Sequence, residues 1–304
     1  MKDKFQITKK FDTTQGGREW FSNWDNGKER DLKAKSYDDE DKEFYVGALH
    51  EGNIDGNGVL SYGGNNCRFY VVDDNKKPSK TWKNVEITVY GKRIDDVNKN
   101  KDFKEANRND DSNYDISQFR IAARSNHFYH PINDCPCAAR SYFGEFNFNG
   151  KTYIRKEIAH PAYAAKKPHD LKDKKNWKDT PDNEFPKNKW IGMKVIVRNM
   201  DNDSAVRTEV YRDLTDGQDG GDWEKLMEFD DTGGWTAEKD DDLNKLKGIL
   251  QDDKVDKDDE CLDKKWEKQD PIFTQAAHSC YIRSNNIYEA QLKKFSVREI
   301  DPLP

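Results

Sequence analysis

Between Phe119 and Asp230 the chain writes one short alternating segment after another, and this constrains the fold more than any other feature. FRIAARSNHFYH (119–130), TYIRKEIAHP (152–161), KWIGMKVIV (189–197) and VRTEVYRDL (206–214) each alternate over about six to nine residues, the period of a β-strand whose side chains point to opposite faces. Sheets built from them bury one face and leave charged and hydrogen-bonding groups on the other. Upstream, EFYVGAL (43–49), GVLSY (58–62) and CRFYVV (67–72) are punctuated by Gly, Asn and Asp turns, as antiparallel meanders are. NVEITVYGKR (84–93) is the cleanest strand, with Val85, Ile87 and Val89 opposite Glu86, Thr88 and Tyr90, and it is expected at the centre of a sheet. CYIRS (280–284) and QLKKFSVREI (291–300) return the chain to that sheet.

About a dozen strands with little helical periodicity predict an all-β, two-sheet antiparallel sandwich of jelly-roll type. No repeat of about 20–50 residues is visible, which argues against propellers and solenoids. The expected organisation is an entry segment over 1–42, packed on one domain over 43–304 with polar insertions at 94–113, 166–188 and 238–270. Leu243, Leu246 and Leu250 predict one short surface helix in the last.

Only 34% of the 304 residues are hydrophobic against 36% charged, near the polar limit for a chain that must bury a core. Eight Trp, thirteen Tyr and fifteen Phe supply that core, which should be aromatic and thin. A net charge of -6 gives no global basic field for nucleic acid, and no stretch approaches the roughly 20 apolar residues of a membrane-spanning helix. Five cysteines leave at least one unpaired; Cys261 with Cys280, or one of Cys135 and Cys137 with Cys67, are the disulfides the spacing allows.

Polar faces of the middle strands carry the candidate chemistry. TYIRKEIAHP sets Tyr153, Arg155 and Glu157 on one side and ends at His160; FRIAARSNHFYH sets Arg120, Ala122 and Arg124 on one side, followed by His127. Two guanidiniums flanking an alanine leave room for a ligand carboxylate, or serve carboxylates of the chain itself. Trp190, Gly192 and Lys194 share a face on which a missing side chain suits a sugar ring, or only eases sheet twist, and Arg207, Glu209 and Tyr211 share the next. All four faces are expected to line one hollow. Asn53, Asp55 and Asn57 in NIDGNG match the opening of a calcium loop that lacks its closing glutamate, so a structural calcium is the one ion the sequence proposes. The nucleophile-elbow, phosphate-loop, dinucleotide and zinc-peptidase patterns are absent, as is the E-x-D-x-E strand of retaining glucanases.

RSNHF, YIRKEIAHP, KWIGMKVIV and VYRDLTDG resemble segments of concanavalin A-like lectin and glucanase jelly rolls, and more narrowly alginate-lyase-like polysaccharide lyases and uncharacterised extracellular archaeal proteins, over roughly 43–300. That resemblance implies a secreted, monomeric protein that grips an acidic polysaccharide and cleaves it by β-elimination, with a leader either outside these residues or not recognisable in MKDKFQITKKFD. By residue type, Arg124 or Arg155 would neutralise the uronate, His127 or His160 would be the base and Tyr211 or Tyr153 the acid, with Lys194, Arg120, Glu157, Trp190, Arg207 and Glu209 binding substrate. The Q-x-H and Y-x-K-x-G-x-Y strands of alginate lyases are missing. A non-catalytic carbohydrate-binding module and an extracellular or virion structural protein are the rival readings.

Overall fold

The computed structural model describes residues 1–64, 66–96, 117–128, 140–159, 162–164, 177, 179–200, 202–233 and 272–304. Among the described residues seventeen strands form two antiparallel sheets stacked as a sandwich, the jelly-roll class expected from the alternation. One sheet contains β15 (Glu224–Asp231), β14 (Ala205–Asp213), β13 (Trp190–Met200), β8 (Val85–Asp96), β17 (Ile287–Glu299), β6 (Val59–Gly64), β5 (Glu51–Ile54) and β2 (Arg30–Asp31) in that order, with β1 (Glu19–Phe21) paired to β17 as a ninth strand. The other runs β12 (Ala162–Ala164), β11 (Thr152–Ala159), β10 (Ser141–Asn147), β9 (Gln118–Ser125), β16 (Ser279–Asn285), β7 (Cys67–Val71), β4 (Asp41–Ala48) and β3 (Ser36–Asp38). Among the described residues the helical elements are two three-residue 3-10 turns, and no helix is long and apolar enough to cross a membrane.

β8 lies between β13 and β17 at the centre of the nine-stranded sheet, and Val85, Ile87 and Val89 face the core. They belong to one core cluster with Met193, Val195, Val197, Leu292 and Phe295 of their own sheet and Phe44, Phe69, Phe119 and Phe146 of the other. The core is aromatic, as composition required: Trp20 stacks on Phe44 at 6.1 Å and meets Phe295 edge-on at 5.1 Å, tying the sheets together. The sheets approach closely at Gly144, where a Cβ would stand 2.4 Å from Val195 Cγ2.

Three expectations need correction. β8 continues to Asp96, inside the insertion expected from 94, because Asp95 and Asp96 find partners on β17 at Glu289 and Ile287. The 166–188 stretch holds core residues: Trp177 and Phe185 are fully buried and packed 5.1 Å apart, and Phe185 meets Phe148 at 5.2 Å. Cys67 and Cys280 are buried free thiols rather than halves of disulfides, and burial pushes them up to about 11 and about 12. The helix expected at Leu243–Leu250 lies outside the described residues.

Residues 5–11 lie on the outer face of the nine-stranded sheet, where Phe5, Ile7 and Phe11 pack with Tyr90, Ile196, Tyr211 and Trp223. Beneath them sits a buried ionic knot. Glu86 of β8 takes Lys194 Nζ at 2.5 Å and Arg298 at 2.9 Å, and its carboxylate also accepts the backbone N–H groups of Lys10 and Phe11. Lys194 donates in turn to the Thr8 carbonyl at 2.8 Å, so the knot fastens the N-terminal segment. Burial alone would raise the Glu86 carboxyl, but the two cations and the backbone donors outweigh it and hold it below the usual glutamate range.

A carboxyl depressed in the folded state stabilises above its unfolded value, about pH 4.3 for glutamate, and that contribution is lost as pH falls through the lower folded value. Glu86→Gln is therefore expected to cost about 3–5 kcal/mol, because it strands two buried cations. Urea titration of both proteins near neutral pH and at about pH 3 checks it: the gap between them should shrink at the acid end.

Candidate binding face

Sheet assignment divides the predicted site. β9 and β11 belong to the eight-stranded sheet, β13 and β14 to the nine-stranded one, and the apolar halves of all four meet in the shared core. Their polar halves therefore look out from opposite sides of the sandwich, and the expectation of one common hollow is overturned.

On the nine-stranded side each candidate is engaged by the protein itself. Lys194 is in the Glu86 knot. The space above Gly192 is filled from within: a Cβ there would stand 2.9 Å from the Trp223 ring, the Tyr90 ring and Asp213 Cβ. Trp223 is held by its Nε1 donating to the Gly220 carbonyl, and its loop is gathered by Asp213, which accepts from Tyr90 Oη, Thr215, Gly217 N and Asp222 N. Arg207 grips Asp230 through two bonds of 2.7 Å. Glu209 accepts from Arg198, Lys225 and Tyr211 Oη, the last at 2.8 Å. Burial and that carboxylate both raise the Tyr211 hydroxyl, which keeps its proton and donates it in the hydrogen bond to Glu209. Trp190 is half-buried between the Lys92 and Lys293 ammonium groups, 4.7 and 4.4 Å from its ring.

The eight-stranded side gathers the larger group, in two rows set by strand register. Tyr37, Tyr45, Tyr70, Tyr281, Ala122, Phe143 and Arg155 are successive cross-strand partners from β3 to β11. Their rings form a ladder with centroid separations of 5.1 Å (Tyr37–Tyr45), 6.1 Å (Tyr45–Tyr70), 4.7 Å (Tyr70–Tyr281) and 6.0 Å (Tyr281–Phe143). Two residues along, Arg68, Arg283, Arg120, Glu145 and Tyr153 form the parallel row. Glu145 is completely buried and bridges Arg120 at 2.9 Å and Arg155 at 2.7 Å, so these two arginines serve a carboxylate of the chain. Arg155 also lies over the half-buried Tyr153 ring, 5.3 Å from its centroid, and Glu157 is fully buried on the same strand face.

His127 joins this face from the loop after β9: its Nδ1 lies 3.4 Å from Tyr70 Oη, and its ring is near Tyr281. Burial raises the Tyr70 hydroxyl to about 12. Arg124 does not join it. The register slips by one residue between Ala122 and Ser125, and Arg124 sits in the bulge at φ 59°, a left-handed conformation. Its guanidinium turns away to the carbonyls of Lys83 and Phe273, which corrects the placing of Arg120 and Arg124 on one face. His160 lies outside the described residues.

Arg68, Tyr70, Tyr281 and Arg283 were not singled out from the sequence, although the pairs Arg68/Tyr70 and Tyr281/Arg283 each carry the Arg–Tyr spacing of a shared strand face. Arg68 and Arg283 are half-buried, at the more open end of the two rows. Arg283 Nε donates to Asn285, while Arg68 Nε is buried without a hydrogen-bond partner.

The loop matched to calcium binding folds on its own bonds: Asp55 accepts the N–H groups of Asn57 and Val59, and Asn53 donates to the Arg30 carbonyl. Among the described residues no group of three His, Cys, Asp or Glu is placed to share an ion.

No family model and no curated protein matches the chain. Solved structures similar to it include the botulinum neurotoxin serotype D binding domain, at 9% identity and TM-score 0.39 over 92% of this chain and 49% of that one, so the chain spans about half its length. A Bacillus subtilis protein of unknown function with a galectin-like fold is 10% identical with TM-score 0.40, over 86% of this chain and 91% of that one. Peanut lectin is 9% identical with TM-score 0.35, over 89% and 97%.

Glu145→Gln should take from the buried Arg120 and Arg155 the carboxylate that bridges them and destabilise the fold by about 3–5 kcal/mol. The shift of the urea midpoint at unchanged slope reads it.

Proposed function

We propose that the protein is a glycan-binding module that takes an anionic, uronate-bearing polysaccharide on the outer face of the eight-stranded sheet. One observation carries this reading: a row of arginines, Arg68, Arg283 and Arg120, runs beside a ladder of tyrosines on the same face. A guanidinium fork pairs with a carboxylate through two bonds, and a tyrosine ring offers an apolar surface to the C–H side of a sugar with a hydroxyl at its rim. Arg120 is buried against Glu145, whereas Arg68 and Arg283 are half-buried, with Tyr37 and Tyr45 beside them, and their exposure assigns the contact with ligand to them. A local cationic row recruits such a polymer despite a net charge of -6, because potential near a surface follows the nearest charges within about a Debye length, roughly 8 Å in physiological salt. A secreted monomer is the setting this function implies.

Cleavage by β-elimination is the second reading, and the contact between His127 Nδ1 and Tyr70 Oη favours it. There Arg68 or Arg283 would neutralise the uronate, His127 would take the C5 proton, and Tyr70 would protonate the departing oxygen. Of the two acids expected from the sequence, Tyr153 lies on this face and Tyr211 stands on the opposite side of the molecule.

Affinity electrophoresis through polyuronate, with a neutral glucan as control, tests the binding reading. Arg68→Ala and Arg283→Ala are each expected to weaken retardation about 10- to 100-fold in apparent affinity, the scale of one lost charge-assisted bond, and added salt should weaken the wild type. Undiminished binding by the double variant would sink it. Ultraviolet absorbance of the unsaturated sugar end, lost in His127→Ala with binding kept, would establish elimination as well.

A further inference from the structure

On β17 the chain carries one residue more than its partner strand can pair. Lys293 stands opposite Tyr90 and Ser296 opposite Thr88, so Lys294 and Phe295 share the place of one residue against Val89. Phe295 enters the core, and Lys294 takes φ 52°, in the left-handed region that side chains rarely adopt. The bulge brings two neighbouring ammonium groups to the outer face, 6.0 Å (Lys293) and 5.5 Å (Lys294) from the Tyr90 ring centroid. A Cβ on Gly217 would stand 3.3 Å from Lys294 Nζ and 2.8 Å from Ile7 Cδ1, so the glycine leaves the amine its room.

The two lysines differ in their partners. Lys293 bridges Asp216 at 2.6 Å, whereas among the described residues no salt bridge reaches Lys294, which is half-buried. Three carboxylates attract Lys294, and each is engaged elsewhere. Asp216 is held by Lys293, Asp213 accepts from Tyr90 Oη, Thr215, Gly217 N and Asp222 N, and Asp3 accepts the N–H groups of Phe5 and Ile7. Burial and the Lys293 charge hold the Lys294 ammonium below the usual lysine range, against the pull of those carboxylates.

We propose that Lys294 is a nucleophilic amine that captures small aldehydes, the open-chain form of a reducing sugar included, as an imine. The site lies on the sheet opposite the arginine row and does not depend on it. A lysine becomes a Schiff-base nucleophile where it is desolvated or stands beside a second cation, and Lys294 meets both conditions. The left-handed backbone that aims it is a cost of the kind retained at functional positions. Once the ammonium has given one proton to water, the Nζ lone pair forms a bond to the carbonyl carbon and the C=O π pair moves onto oxygen. That oxygen takes up a proton and Nζ releases one, which gives the carbinolamine. The hydroxyl then takes a proton and leaves as water while the Nζ lone pair closes the C=N bond, and Nζ releases its last proton. One imine and one water are the products, and no oxidant enters.

Reductive labelling of the full chain with glyceraldehyde and cyanoborohydride near neutral pH, stopped early and read by peptide mapping, tests the site. Lys294 is expected to label about tenfold faster than the exposed Lys33 and Lys42, and its rate should rise to its plateau at a lower pH than theirs. Lys293→Gln removes the like charge and releases Asp216 to pair with Lys294, so labelling there should slow severalfold. Lys294→Arg should lose the fast phase alone. Labelling of wild-type Lys294 no faster than that of Lys33 and Lys42 overturns the proposal, and so does a fast phase that persists in Lys294→Arg. The wild-type comparison needs no variant to fold.

Discussion

A buried carboxylate clamped between two cations appears on each outer face of this sandwich, and the arrangement of the polar residues depends on it. Glu86 stands between Lys194 and Arg298 on one side, and Glu145 between Arg120 and Arg155 on the other. A chain with more charged than hydrophobic residues cannot dress both outer faces of two large sheets in apolar side chains. Bridged carboxylates allow charged strand faces to be covered all the same, since each buried charge keeps an opposite charge and further hydrogen bonds.

Such clamps add little net stability, because desolvation offsets most of the attraction; their effect lies in which arrangements they forbid. A strand that slipped by one residue would carry Glu145 or Glu86 into the aromatic core and leave its cations alone outside. Register is thus held from both sides, by the apolar residues that must face in and by the ion pairs that must meet. The precise rows of tyrosine and arginine on the eight-stranded sheet follow from that register.

Much of the architecture was legible in the residues. Alternation in NVEITVYGKR and KWIGMKVIV told which side chains enter the core, and the structure places Val85, Ile87, Met193 and Val195 there. The candidate face was legible only in pieces. Arg120, Arg155, Glu157, Tyr153 and His127 do share a side, but Lys194, Trp190, Arg207, Glu209 and Tyr211 stand on the other. Nothing within TYIRKEIAHP or VRTEVYRDL states which sheet its strand will join. Arg124 left its face through a bulge that depends on the register with β16, and Trp177 was hidden in a stretch whose average composition is polar.

The sequence by itself determined the strands, their turns and, outside bulges such as that at Arg124, the inward or outward sense of their side chains, because a pleated backbone alternates its side chains every residue through local geometry alone. Tertiary structure alone decided which strands became neighbours, and so which arginine met which carboxylate and which lysine came to rest against an aspartate in the opposite sheet. Those pairings join residues distant in sequence, such as Glu86 with Lys194 and Lys156 with Asp231, and they come from packing two sheets on one core rather than from any segment's own preference.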